Sequence, residues 1–169
     1  MTDEHITDSD IYKQLINLTL RFVSLRLRSE LEIRTYLSTK LKRNHTTAPQ
    51  VLDAVMERMK DLGYVNDLAF AEWFVLGRTG RKPKGKRVIE QELLKKGINR
   101  EIIDSVMEQT MTGDRSEKEL ARDLSQKKLP LWKNLPVLNQ KRKLADLLSR
   151  RGFSSETVWG IVDECFAKE

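Results

Sequence analysis

Three stretches of this chain place residues at i, i+3, i+4 and i+7 in a largely apolar row: Leu52, Val55, Met56, Met59; Ile103, Val106, Met107, Thr110; and Val158, Ile161, Val162, Cys165. That spacing sets four side chains on one face of a helix. The second and third stretches superpose with their flanks at an offset of 55, so that Leu93, Gly97, Ile98 and Glu101 fall on Leu148, Gly152, Phe153 and Glu156. "KKGINRE" and "RRGFSSE" then say the same thing physically. A helix ends in basic residues beside its negative pole, Gly takes a left-handed turn, and Asn99 or Ser154 caps the next helix. A repeat of this kind admits few folds.

Another helical stretch precedes each pair. Ile11, Leu15, Leu18, Phe22 and Leu25 stripe the first; Phe70, Trp73, Phe74 and Leu76 crowd the second, with Asn66 or Asp67 as its cap; Leu120 and Leu124 mark the third. The first unit departs from the pattern. It has Leu41 where the Gly should stand, a longer connection, and Thr46 or Thr47 as cap ahead of Pro49. With 8 Gly, 4 Pro and no alternating segment, no sheet is expected. The reading is an all-α fold of three tandem three-helix repeats, residues 8–63, 64–111 and 112–167, forming an elongated, curved array. A unit of about 50 residues buries little apolar area alone, so neighbours should pack in series. Met and aromatic residues in the stripes are assigned to the core. Trp132 and Trp159 are left open, because Trp159 takes the place of the solvent-facing Asp104 and is expected to be partly exposed.

Residues 80–86 fit G-x-x-x-x-G-K, the opening of a phosphate-binding loop. Such a loop follows a buried strand, and its Lys is followed by a hydroxyl residue that binds magnesium. Here a helical pattern precedes it and Arg87 stands in the hydroxyl position. His5 and His45, the two histidines, fall in a terminal stretch and in a polar loop, and no zinc site is expected of them. Cys165 lies on an apolar stripe, where a buried inert thiol is expected. No catalytic, cofactor-binding or metal-ligating set is predicted, and no small-molecule substrate. A lone cysteine points to a reducing compartment. The acidic start lacks an apolar signal region, and the longest markedly apolar run is "WFVL", far short of a membrane span. The expectation is a cytoplasmic protein.

Charge is the remaining signal. The net +6 arises mostly after residue 65: residues 1–65 carry 10 Lys/Arg against 9 Asp/Glu, residues 66–112 carry 9 against 7, and residues 113–169 carry 12 against 9. From Arg78 to Arg87 there are six basic residues and no acidic one. From Lys127 to Arg151 eight basic residues face only Asp146. The candidate binding residues are Arg81, Lys82, Lys84, Lys86, Arg87, Lys95 and Lys96, then Lys127, Lys128, Lys141, Arg142, Lys143, Arg150 and Arg151. Such clusters suit an anionic partner and would bind phosphate with a steep salt dependence. Aromatics are not interleaved with them, which argues against a base-stacking channel.

"RLRSELEIRTYL", "LGYVNDLAFAEWFV", "GKRVIEQELLKKGI" and "KRKLADLLSRRGF" together resemble the RecX family, bacterial regulatory proteins that modulate the RecA recombinase. The resemblance runs from Arg26 to Phe166. It implies three three-helix repeats and a non-enzymatic role, family members lying along the RecA–DNA filament and restraining ATP hydrolysis and strand exchange in repair and recombination. A monomer is expected, with DNA contacted within the filament. Two positions depart. Asn66 stands for the usual Asp and should cap equally well. Val88 stands for the usual Arg, and Arg87, one place earlier, points about 100° away on a helix. The alternatives are a direct DNA-binding protein that needs no recombinase, and a helical-repeat scaffold with an apolar concave face.

Overall fold

A computed structural model describes residues 7–43, 48–112 and 115–167. Among them are nine α-helices and no strand: α1 (Asp8–Val23), α2 (Glu30–Arg43), α3 (Pro49–Asp61), α4 (Asp67–Arg78), α5 (Lys86–Lys95), α6 (Arg100–Thr110), α7 (Glu117–Lys128), α8 (Val137–Arg150) and α9 (Ser155–Phe166), with a 3-10 turn at Leu129–Trp132. Most starts follow from local chemistry. Thr7 and Asp10 form a reciprocal capping box at α1. Ser29 Oγ accepts from the Glu32 amide (3.2 Å), Asn66 from Ala69 (3.0 Å), Asn99 from Ile102 (2.8 Å) and Ser154 from Thr157 (3.3 Å). The expected caps Thr46 and Thr47, and both histidines, lie outside the described residues. Gly97 and Gly152 end α5 and α8 at φ 80° and 83°, where any other side chain would be strained.

The chain divides into two compact units, Met1–Phe70 with Lys96–Ile98, and Ala71–Lys95 with Asn99–Glu169. In the first, Ile11 and Leu15 of α1, Ile33 and Leu37 of α2, and Val55, Met56 and Met59 of α3 form one core. Thr19 is also buried there, its hydroxyl donating to the Leu15 carbonyl (2.8 Å). Leu25, expected on the α1 stripe, is instead exposed, because the helix stops at Val23 and the stripe has no further turn to continue on.

In the second unit α7, α8 and α9 enclose Leu120, Ala121, Leu124, Leu144, Leu148, Phe153, Val158, Ile161 and Val162, with Trp132 and Cys165 packed at the edge. Cys165 is half-buried rather than enclosed. Burial, and then the charge of Glu164, push its thiol above the usual range, which keeps it protonated. The α4 stripe also differs from expectation. Ala71, Phe74 and Val75 are buried, whereas Trp73 and Leu76 are exposed. Phe70, Ala71, Phe74 and Val75 share the buried face of the helix, which leaves Trp73 and Leu76 on the exposed one.

Candidate functional site

The segment "GRKPKGKR" follows helix α4, not a strand, and α5 opens at Lys86. It is therefore a connector between helices. Its position is set by a backbone contact. The Gly85 amide donates to the Arg151 carbonyl (2.9 Å), and a Cβ on Gly85 would lie 2.2 Å from Phe153 N and 2.3 Å from Gly152 C and O. Gly is required here by proximity. Gly152 in turn rests on Val88, whose side chain would meet a Cβ at 2.3 Å. Val88 thus fills a packing role at the position where an Arg was expected. The Arg151 guanidinium donates to the carbonyls of Lys82 (3.3 Å) and Pro83 (3.5 Å), pinning the loop.

Glu117, the first residue of α7, completes the joint. Its Oε1 accepts from the Lys86 amide (3.1 Å) and the Ser154 amide (3.2 Å), and its Oε2 from the Ser154 hydroxyl (2.9 Å). One carboxylate so serves the N-termini of both α5 and α9, where helix dipoles favour negative charge. In the first unit, Asp67 at the start of α4 does the same for α2, accepting from the Glu30 amide (2.8 Å). Burial raises the Asp67 carboxyl above its ordinary range despite that bond. The sequence offers Asp67 as a cap of α4 rather than of α2, and nothing in it singles out Glu117. Both open the first helix of a repeat, which is the one signal that could have exposed them.

The basic residues then separate by partner. Glu92 accepts from Arg78 (2.8 Å) and pairs with Lys84. Burial would raise its carboxyl, but those bonds and charges hold it below the usual range. Arg78 also lies over the Phe74 ring at 4.2 Å. Lys86 faces Glu90 at 3.8 Å. Lys96 is engaged by Glu32 (2.6 Å), which Arg26 also holds (3.1 Å). Burial opposes this, yet the two cations keep Glu32 below its ordinary range. Lys141 lies over Phe166 (5.5 Å) and Lys143 over Trp132 (5.9 Å), at the edge of the core that α7, α8 and α9 enclose.

Arg81, Lys82 and Arg87 are exposed and form no ion pair with the described residues. The contact through Arg151 brings them beside the end of α8, which also carries the exposed Arg150. The structure therefore joins the elbow to the C-terminal end of the second cluster. Lys141, Arg142 and Lys143 sit farther back on α8; from Lys143 to Arg150 is about 10 Å at helical rise. Lys95 is exposed at the end of α5, and Lys127 and Lys128 end α7. Among the described residues no group of three or more His, Cys, Asp or Glu is placed to hold a metal, and no helix is long and apolar enough to cross a membrane.

Residues 66–107 match the family model described as RecX, second three-helix domain, and residues 116–162 match that of the third. A regulatory protein RecX of Chlorobium phaeobacteroides is 33% identical over 154 residues, covering 91% of this chain and 95% of the relative. The chain belongs to the RecX family. A RecX of Listeria innocua is 33% identical over 153 residues, but these are 90% of this chain and 54% of that protein. The chain thus spans about half the length of the Listeria relatives. The crystal structure of RecX from Lactobacillus salivarius superposes with a TM-score of 0.77 at 25% identity, covering 92% of this chain and 97% of that one. A second RecX crystal structure gives 0.75 at 26% identity. The RecX helical-repeat fold is therefore the fold of this chain, and Gly85, Gly97 and Gly152 hold its repeats at close approach.

Proposed function

We propose that this chain binds the RecA–DNA filament and restrains ATP hydrolysis and strand exchange without catalysing a reaction itself. The observation that carries the reading is the elbow at Arg81, Lys82 and Arg87. All three are exposed and form no ion pair among the described residues; Arg81 and Lys82 lie on the loop held by Gly85 and Arg151, and Arg87 in the first turn of α5, whose Lys86 amide Glu117 caps. A rigid mount lowers the cost of ordering side chains on an anionic surface. Family membership supports the recombinase as partner. On this reading Arg150 and Lys95 extend the contact, and Lys84 and Lys96 act within the fold. The chain is a cytoplasmic monomer of three repeats, 8–63, 64–111 and 112–167.

The test is co-sedimentation with recombinase filaments, together with DNA-dependent ATP hydrolysis, for the parent and for Arg81→Glu/Lys82→Glu/Arg87→Glu. The triple variant should bind and inhibit at least about tenfold more weakly, since like-charge contacts at an interface cost several kcal/mol. Reversal of the paired Lys84 should instead show as lost stability. Inhibition unchanged in a folded triple variant would remove the elbow from the mechanism. Equal, strongly salt-dependent binding to naked DNA would favour a DNA-binding protein that needs no recombinase.

A further inference from the structure

Trp159 is 60% exposed, the most exposed aromatic residue among those described. The offset of 55 that superposes α6 on α9 explains what differs there. Arg100, Glu101, Asp104, Ser105 and Glu108 of α6 correspond to Ser155, Glu156, Trp159, Gly160 and Asp163 of α9. The α6 face carries its own cation: Arg100 Nε lies 3.2 Å from Asp104 Oδ1, and another guanidinium nitrogen lies 3.8 Å from Glu90. In α9 Ser155 replaces that Arg, and Trp159 replaces the Asp. Glu156 and Asp163, three residues before and four after Trp159, lie on the same helical face. Both are exposed, and neither has an ion-pair partner among the described residues. The neighbouring acid, Glu164, is by contrast held by Arg122 at 2.6 Å. Gly160, the next residue, is exposed too, and a Cβ added there would meet nothing within 4 Å.

An accessible indole between two uncompensated carboxylates is complementary to one kind of group. A planar guanidinium lies on the indole face and donates to the carboxylates on either side. Phosphate is repelled by the same pair of acids, so nucleic acid does not fit. We propose that Trp159, Glu156 and Asp163 form a docking site for an arginine side chain presented by a partner protein, supplying from outside the cation that Arg100 supplies within α6. The site is independent of the basic elbow, and its occupancy does not require that the elbow bind a filament.

The test uses the full chain and an N-acetylated, C-amidated Ala-Arg-Ala-Arg-Ala peptide, with the citrulline peptide of the same length as neutral control. The readout is the indole N–H NMR signal of Trp159, assigned by its loss in Trp159→Phe. The arginine peptide should shift that signal about fivefold more than the citrulline peptide at equal concentration, while those of Trp73 and Trp132 stay in place. Glu156→Gln/Asp163→Asn should abolish the difference between the peptides, and its unchanged Trp73 and Trp132 signals would report an intact fold. Equal shifts with both peptides, or an undiminished response in the double variant, would overturn the proposal. So would a shift of the Trp159 signal on raising protein concentration alone, with dimers in sedimentation, since the face would then belong to a second copy.

Discussion

Gly85 shows how much a single residue decides here. Its requirement comes from close approach: the three atoms nearest an added Cβ, at 2.2–2.3 Å, all belong to the backbone of Gly152 and Phe153. Backbone cannot turn aside as a flexible side chain can, so Gly85→Ala must push α5 away from the end of α8. The Gly85–Arg151 hydrogen bond would be lost with it. The expected cost is about 2–4 kcal/mol, the range for overpacking combined with a lost buried bond. Gly77→Ala is the contrast. Gly77 lies in α4, has an unstrained φ and nothing within 4 Å of an added Cβ, so the same change should stabilise by about 0.5–1 kcal/mol through helix propensity. Urea denaturation of both variants gives the two signs. A Gly85→Ala protein as stable as its parent would mean that α5 does not depend on close approach to the end of α8.

At the scale of helices, the devices visible in the sequence act over three or four residues, and those that stayed hidden act over eight or more. Ser29, Asn66, Asn99 and Ser154 cap their own helices, so each is readable from the residues around it. Gly97 and Gly152 are readable for the same reason. Glu117 bonds to Lys86 and Ser154, 31 and 37 residues away, and nothing in "SEKELARD" distinguishes it from a solvated acid. Charge counts likewise identified the basic clusters but not that Glu92 holds Arg78 and Lys84, because that pairing depends on where α4, its loop and α5 meet. The outward turn of Trp73 is hidden for a similar reason: an aromatic stripe gives the period but not which side the neighbours cover. Glu117 yields a test that separates a shared cap from an ordinary one. Glu117→Ala should cost about 1–2 kcal/mol, and amide hydrogen exchange should speed up in the first turns of α5 and α9 together. Acceleration confined to α9 would show that Lys86 does not depend on this carboxylate.

Across the whole molecule, the carboxylates that hold cations set how stability responds to acid. Burial would raise Glu30, Glu32 and Glu92, but hydrogen bonds from Arg34 and Lys60, from Arg26 and Lys96, and from Lys84 and Arg78 outweigh it, and all three sit below their ordinary 4.5. A carboxylate depressed by folding contributes stability that is complete above its unfolded value and is lost as pH falls through the folded one. The loss should therefore begin below about pH 4.5 and continue downward, at a net charge that grows beyond +6 as acids protonate. Asp67 works the other way: its folded value lies above the ordinary 3.8, so its burial costs stability near neutrality and that cost is relieved in acid. Asp67 alone is raised among the shifted acids, against Glu30, Glu32 and Glu92 and the exposed Asp10 and Glu164, all depressed, so the fall dominates. Glu32→Gln isolates one of them. Because both Glu32 ion pairs are partly exposed, solvent screening limits the loss at pH 7 to about 1 kcal/mol. Urea midpoints measured from pH 7 to pH 3 should show parent and variant converging as Glu32 takes up its proton. A gap that persists undiminished at pH 3 would mean that Glu32 stabilises the fold by packing rather than by its charge.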